Sequence, residues 1–353
     1  KVCLKKIFII YIFVNHIDNI TYCLYLLRLI MKNLSTLFKD QVLRICIGAW
    51  AFITASYFIF VDADYAVSPI AKNGLDSLLT IYLPVLILTV FLLLYLTRNR
   101  EHTAWTKVFN VDKSKAKKEA LLTVGYLLLT QLILGIGFNI GLHFPGTDIY
   151  SSGSHSQADV WIWALTYTVI YTVLPILWLW KKGFSFGKLF ASFNWLRDGW
   201  IIVAYWALDF FGPIISGGAN FLGGISAAQY AQGIPWGIFI NSLGAGLPVL
   251  IMMHIIFIPR IAVIFENKLT VIFLGGLFYS LFSLFDQGVD YSSLSVGLTS
   301  FTYIIMTQTL VGMGKATFTV VTGNPFIHFI SLHVISARVP FDTRMYIEIF
   351  NLK

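Results

Sequence analysis

The sequence has little charge. Of its 353 residues, 12% are Asp, Glu, Lys or Arg, whereas a soluble domain has about 25%. A water-soluble fold of this length could not cover its surface with so few charged side chains. Apolar residues make up 57% of the chain, and the mean hydropathy is +0.76. The composition excludes an ordinary soluble protein and predicts an all-α, polytopic membrane helix bundle.

Cysteine is scarce, and the common catalytic motifs are missing. Cys3, Cys23 and Cys46 have no CxxC spacing and are too few for a disulfide framework. The sequence contains no Gly-rich phosphate loop, no GxSxG nucleophile elbow and no HExxH zinc motif. It also contains no nucleic-acid-binding module, although its formal net charge is +8. Function therefore has to be sought in single polar residues.

Eight apolar stretches are long enough to cross a bilayer, since a spanning helix needs about 20 residues. Continuous apolar runs indicate helices and not the alternating strands of a barrel. The predicted spans are 44–61, 77–97, 120–143, 160–180, 199–216, 236–258, 269–285 and 294–314. A ninth apolar segment, 316–336, is interrupted by Gly323-Asn324-Pro325. Three arrangements are open for this segment. It crosses the membrane fully, it forms a short or re-entrant helix, or it begins only after one long tilted span over 294–322.

From Lys32 to Lys268, all but one of the basic residues lie in or beside alternate loops, and Lys and Arg collect on the cytoplasmic side of membranes. The basic segments are 98–119, 181–198 and 259–268; the opposite loops, 62–76, 144–159, 217–235 and 286–293, contain one basic residue, Lys72. We therefore expect a cytoplasmic N-terminus in a bacterial cytoplasmic membrane. The charge of +8 reflects topology and predicts no nucleic-acid partner.

The first 30 residues stand apart from the rest. They contain two apolar runs, Ile7–Val14 and Tyr22–Ile30, each too short to span a membrane. Met31 is followed by a short amphipathic segment. We interpret 1–30 as upstream translation or as an interfacial leader, and 31–353 as one integral-membrane helical domain.

Four lysines precede the third predicted span, and the lipid bilayer is the expected partner of this region. They are Lys113, Lys115, Lys117 and Lys118. Such a cluster either sets the topology or contacts anionic headgroups, at roughly 1 kcal/mol per base.

Ionisable residues inside a membrane are costly, which makes each of them a functional candidate. Asp209 is the acidic residue placed well within a predicted span. Its candidate partners are polar residues in other apolar runs: Gln131, Asn139, Asn241, His254 and Gln308. The group is interpreted as a proton or cation site, or alternatively as a hydrogen bond between helices worth about 0.6–2 kcal/mol.

Histidine is the candidate metal ligand. A catalytic zinc ion needs three protein ligands and an open position, for which His254, His333 and Glu266 are the available candidates. Zinc or another divalent metal is expected only if the chain is a protease. His328 and His333 are five residues apart, which on an α-helix places them about 140° apart around the axis. We therefore predict that these two histidines do not share a face.

The order of motifs in residues 260–337 carries a family resemblance. A helix ends in Tyr279-Ser280-Leu281-Phe282-Ser283, a Gly-containing helix follows at Gly312-Met313-Gly314, and the turn Thr322-Gly323-Asn324 leads to His333. This order resembles the CAAX-protease and bacteriocin-processing (CPBP) intramembrane family, with its F-xxx-H helix, Gly-rich helix, T-G-N/S turn and H-xxx-N/D motif. His333 lies one residue further from the glycine than the family pattern.

The sequence departs from that family where catalysis would occur. In the family, a pair of Glu and two His would hold a metal and activate water for peptide hydrolysis. Here Glu266 is followed by Asn267, Ser283 replaces the first His, and Ala337 replaces the Asn or Asp. The resemblance implies a non-catalytic or divergent relative that binds within the membrane. The alternatives are a proton- or ion-coupled transporter that uses Asp209 and an active metalloprotease with unrecognised ligands.

Overall fold

A computed structural model describes residues 40–60, 78–97, 100, 111–143, 156–191, 193–215, 225–286, 289–336 and 338–352. The chain divides into two compact units, Lys1–Gly48 and Ala49–Lys353. In the described part of the first unit, the Asp40 carboxylate caps the first helix by accepting bonds from the N–H groups of Val42 (2.8 Å) and Leu43 (3.2 Å). The predicted leader, 1–30, lies outside the described residues.

All regular secondary structure in the described ranges is helical, which confirms the all-α prediction. A helix that continues through a π turn is counted here as one element. The helices are α1 (Gln41–Phe60), α2 (Leu78–Leu96), α3 (Lys113–Phe138), α4 (Gln157–Lys181), α5 (Phe186–Ala191), α6 (Trp195–Ile215), α7 (Ala227–Ile264), α8 (Lys268–Phe282), α9 (Leu294–Thr322), α10 (Pro325–Val334) and α11 (Arg338–Phe350).

Within the described ranges, six helices are long and apolar enough to cross a membrane: α1, α2, α3, α4, α7 and α9. These are helices of the kind found in a multi-pass membrane protein. The predicted spans at 199–216 and 269–285 fall on α6 and α8, which are not among the six. Helices α8 and α10 are apolar but shorter.

The turn Thr322-Gly323-Asn324 stops one helix and starts the next. Helix α9 runs without a break for 29 residues, so 294–322 is one long helix. Gly323 has a φ of +75°, a left-handed conformation that glycine adopts without strain and that ends helices. The Asn324 side chain then accepts a bond from the N–H of Phe326 at 3.0 Å, and Pro325 stands in the first turn of α10.

The last helix returns along the first half of α7. Gln229, near the start of α7, donates to the carbonyl of Leu352 at 3.3 Å. Gln157, at the start of α4, donates to the carbonyl of Ile349 at 3.1 Å. The end of α11 therefore lies at the same end of the bundle as the starts of α4 and α7. On the predicted orientation this is the outer end.

Wide π turns interrupt several helices, and most of them lie just before a proline. They are Leu78–Tyr82, Val169–Val173, Ser242–Gly246, Leu250–Phe257 and Ile330–Val334, and the first four are followed by Pro84, Pro175, Pro248 and Pro259. Proline has no N–H to donate to the carbonyl four residues earlier and clashes with it, so the preceding turn widens. For Pro259 that carbonyl belongs to Ile255, and it accepts a bond from Arg260 at 2.9 Å instead.

Arg260 also belongs to a buried ion cluster that joins three helices. The Glu119 carboxylate of α3 accepts bonds from Arg260 of α7 at 3.1 Å and from Lys182, just after α4, at 2.9 Å. Glu119 and Arg260 are both almost fully buried. A buried charge is tolerated when it is paired and hydrogen-bonded, and here each partner satisfies the other.

Helices α8 and α9 approach each other closely through glycine. A Cβ atom built on Gly276 would lie 2.4 Å from the carbonyl oxygen of Thr309, and one on Gly312 would lie 2.5 Å from the Cβ of Tyr279. Small residues let helix backbones come together inside membranes, where tight packing holds helices in place.

We expect Gly276→Ala to destabilise the protein by about 1–3 kcal/mol, because the added methyl group would force the α9 backbone away. Gly125→Ala is the matched control, since a Cβ on Gly125 meets nothing within 4 Å. That change should be neutral or stabilising by up to about 1 kcal/mol, the helix propensity of alanine over glycine. Thermal unfolding in detergent measures both. Equal melting temperatures for the two variants would contradict the close approach of α8 and α9.

Candidate functional site

A cavity of about 210 Å³ lies inside the bundle beside the break between α10 and α11. Its polar and ionisable lining residues are His143, Trp163, Asp209, Asn241, Lys315, His333 and Ser336; the apolar ones are Ala245, Val311, Leu332 and Val339. Seven of these eleven lining residues are polar or ionisable, and polar groups that converge on one cavity are what orients a small molecule in a binding site.

The predicted acid, Asp209, lies on the wall of this cavity. Its carboxylate accepts a hydrogen bond from the Ser336 hydroxyl at 3.0 Å, and Ser336 stands at the break between α10 and α11. Asn241 lines the same cavity, and its side-chain oxygen accepts a bond from Tyr346 of α11 at 2.7 Å. The structure thus brings together two of the polar residues that the sequence singled out.

The other predicted partners lie elsewhere. Gln131 is buried between α3 and α4, where its amide donates to the hydroxyls of Tyr171 (2.9 Å) and Tyr167 (3.2 Å). Asn139 ends α3 in a left-handed conformation with a φ of 53°. Gln308 lies on α9 and is not part of the cavity lining.

Three histidines form a cluster next to the cavity. The rings of His254 and His328 stack at a centroid distance of 4.0 Å, and those of His328 and His333 lie 5.3 Å apart. The prediction that His328 and His333 occupy different faces is wrong. The helix forms a π turn over Ile330–Val334, and residues five apart in such a turn lie on one face because the hydrogen bonds run from i to i+5.

The two fully buried histidines of this cluster, His254 and His328, have ring nitrogens that could bind a ligand or water. Both His254 and His328 are fully buried. The Nδ1 of His254 lies 2.6 Å from the Thr319 hydroxyl, whereas its Nε2 and both ring nitrogens of His328 have no hydrogen-bond partner in the described part of the chain. Buried polar atoms are normally hydrogen-bonded, so these nitrogens mark a place for water or a small polar molecule.

The candidate metal ligands are not brought together. Glu266 is 93% exposed and forms an ion pair with Lys113 at 3.7 Å, whereas His254 is fully buried. Among the residues that the structure describes, no group of three His, Cys, Asp or Glu side chains is placed to hold a metal ion. The donor set His254, His333 and Glu266 therefore does not fit a metal site in this arrangement.

A second polar unit was missed from the sequence. The Nδ1 of His143 lies 2.6 Å from the Asp286 carboxylate, which also accepts a bond from the His143 backbone N–H at 3.0 Å. On its other side, His143 Nε2 lies 2.9 Å from the Tyr279 hydroxyl. The carboxylate favours an Nδ1–H tautomer, which leaves Nε2 to accept from tyrosine. His143 and Asp286 are 143 positions apart in the sequence, so no local motif marks the pair.

The loop that carries Asp286 is held in place. The Tyr291 hydroxyl donates to the carbonyl of Leu284 at 2.6 Å, and the Ser300 hydroxyl donates to the carbonyl of Asp290 at 3.0 Å. Burial raises the pKa of Tyr291, so its hydroxyl stays protonated as the donor. The position of the Asp286 carboxylate at His143 is therefore fixed by the surrounding loop.

The six apolar helices of spanning length in the described ranges are those of a multi-pass helical membrane protein. Comparisons with protein-family models, with curated proteins and with solved structures found no match to it.

Proposed function

We propose that this chain is a membrane transporter that binds a small polar solute in the cavity and couples its movement to a proton through Asp209. The observation that carries the proposal is the contact between Asp209 and Ser336 at the break between α10 and α11. Discontinuous helices meet their ligands at such breaks in transporters. An ionisable acid inside the membrane is energetically costly, and such residues mark functional sites by default.

The break supports this role electrostatically. Helix α11 begins just after Ser336, so its N-terminal end, the positive end of the helix dipole, follows directly on the residue that binds the Asp209 carboxylate. Lys315, a buried base of α9, lines the same cavity. Protonation of Asp209 would change the charge of the cavity and its affinity for a solute.

Histidines in and beside the cavity offer a route for the proton. His143, with Asp286, lies at the end of the bundle that the charge pattern predicts to be outside. His333 lines the cavity, and His328 and His254 continue away from it. In this proposal the protein is integral to a bacterial cytoplasmic membrane, with its N-terminus in the cytoplasm.

Cysteine accessibility tests the proposal without knowledge of the solute. In a chain with Cys3, Cys23 and Cys46 replaced by Ser, Ala245→Cys places a thiol on the cavity wall. A charged, membrane-impermeant methanethiosulfonate reagent should modify it from one side of the membrane at a time, with the side depending on pH. Ala164→Cys, in the packed core of α4, is the control and should not react. A thiol at 245 that reacts from neither side would contradict a transport cavity.

A second candidate is a non-catalytic relative of the CPBP family that binds its ligand in the same interior. It is favoured by the turn Thr322-Gly323-Asn324, which joins α9 to α10 and brings His333 beside His328 and His254. Accessibility of the thiol at 245 from a single side at every pH would favour this function over transport.

The further alternative, an active metalloprotease, is tested by elemental analysis of the purified chain. On the present geometry we expect no stoichiometric zinc or other divalent metal, because Glu266 lies at the surface, away from the buried His254. About one metal ion per chain that is lost in His333→Ala would instead favour the enzyme.

A further inference from the structure

An apolar groove of about 270 Å³ runs between α3 and α4 over the surface of α7. Leu122 of α3 and Leu174 of α4 are exposed at its edges, and Met252 and Ile256 of α7 are buried at its floor. The groove therefore opens on the side of the bundle where apolar side chains face outward, which in a membrane is the side that faces lipid.

The groove lies beside the π turn of α4. Pro175 lies just after the turn Val169–Val173 and lines the groove. In the turn, the carbonyl of Ile170 accepts a bond from the Tyr126 hydroxyl of α3 at 2.6 Å. The tyrosine side chain thus spans the gap between α3 and α4 at one end of the groove.

The two hydroxyl groups of the groove lining are already hydrogen-bonded within the protein. The Tyr126 hydroxyl is bonded to α4, and the Thr123 hydroxyl is bonded to the carbonyl of Glu119 in its own helix at 2.7 Å. The remaining lining residues are apolar or the aromatic Trp178. A hydrocarbon chain fills such a largely apolar surface without the loss of a hydrogen bond.

Two lysines stand at the other end of the groove. Lys118 is exposed and lies one helical turn before Leu122, so both share a face of α3. Lys182 lies four residues after Trp178, with its ammonium 5.0 Å from the centre of that ring. It is bound to Glu119 on one side but remains 39% exposed. Positive charge thus borders the apolar groove at the end where α3 begins and α4 ends.

We infer that this groove binds an anionic phospholipid, with one acyl chain between α3 and α4 and the headgroup phosphate at Lys118 and Lys182. The apolar lining favours an acyl chain of the lipid, and the two ammonium groups favour a negative headgroup over a neutral one. This site is independent of the cavity and of the proposed transport.

Native mass spectrometry of the full chain in detergent tests the inference. The probes are phosphatidylglycerol and phosphatidylcholine with equal acyl chains, titrated separately. We expect one phosphatidylglycerol to bind more tightly than phosphatidylcholine. Lys118→Gln should weaken the binding of phosphatidylglycerol about fivefold, the effect of one base. Lys117→Gln, its exposed neighbour on another face of α3, is the matched control and should leave it unchanged.

A second pair of variants tests the groove itself. Leu122→Trp fills the groove and should remove the bound lipid, whereas Leu129→Trp, at an exposed position outside the groove, should retain it. Equal binding of both phospholipids together with no effect of Lys118→Gln would overturn the inference, as would a lipid retained in Leu122→Trp. If Leu122→Trp lowers the melting temperature where Leu129→Trp does not, the comparison of Lys118→Gln with Lys117→Gln decides the question.

Discussion

Asp209→Asn is expected to abolish proton uptake that a transported solute drives into vesicles containing this protein. The asparagine keeps the shape of the side chain and can still accept the bond from Ser336, but it cannot bind and release a proton. The measurement uses vesicles loaded with a pH-sensitive dye, clamped in membrane potential, to which glycine, lactate, putrescine and glucose are added one at a time. Uptake by the variant should equal that of protein-free vesicles.

Ser336→Ala is the control for that experiment. It removes one hydrogen bond from the carboxylate but leaves the acid in place, so solute-driven uptake should persist with an altered pH dependence. Both variants should elute and melt as the parent protein does. Solute-driven uptake that is the same in Asp209→Asn and in the parent would remove Asp209 from the coupling site.

Glu119→Gln is expected to destabilise the protein by about 3–5 kcal/mol, because it removes the charge of the buried carboxylate that Arg260 and Lys182 both bind. Arg260 is almost fully buried, and it cannot lose its proton to escape the penalty. Arg260 also donates to the carbonyls of Ile255 (2.9 Å) and Ile256 (3.2 Å), which are neutral acceptors and do not replace the carboxylate charge of Glu119. Unfolding in a denaturing detergent, followed by circular dichroism, measures the loss.

The exposed ion pair of α11 provides a matched control for Glu119. Arg344 and Glu348 lie 3.2 Å apart at helical spacing, and both are nearly half exposed, at 46% and 43%. Glu348→Gln should change stability by less than about 0.5 kcal/mol, since water screens such pairs. Similar losses in the two variants would mean that the charge of Glu119 is not what holds α3, α4 and α7 together.

Composition and hydropathy were sufficient for the class of fold. A chain with so few charges and so many long apolar runs must form helices in a membrane, because hydrocarbon leaves no other way to satisfy the backbone. Hydropathy does not show where α9 ends, because the long apolar run favours one helix to residue 322 whereas the charge of Lys315, which is buried, favours an earlier end. The break that occurs, at Gly323, depends on a backbone conformation that hydropathy does not measure.

The candidate site was predicted only in part. Asp209 and Asn241 were found because polar residues stand out in apolar runs, and both line the cavity. The pairing of His143 with Asp286 depends on how α3 meets the loop after α8, which no local pattern records. Glu266 was assigned by its position in the sequence, but the fold places it at the surface. Both the His143–Asp286 pair and the surface position of Glu266 are set by tertiary contacts, which local sequence patterns do not record.

The π turn at Ile330–Val334 lets this segment hold one residue more than a regular α-helix of about the same length. Deletion of one residue from the turn would restore α geometry and leave Ser336 and the later residues close to their present positions. Deletion of one residue from a regular α turn would instead rotate every later side chain by about 100°. The contact between Ser336 and Asp209 should therefore survive the first change and be lost in the second. What the first change would alter is the pairing of His328 with His333.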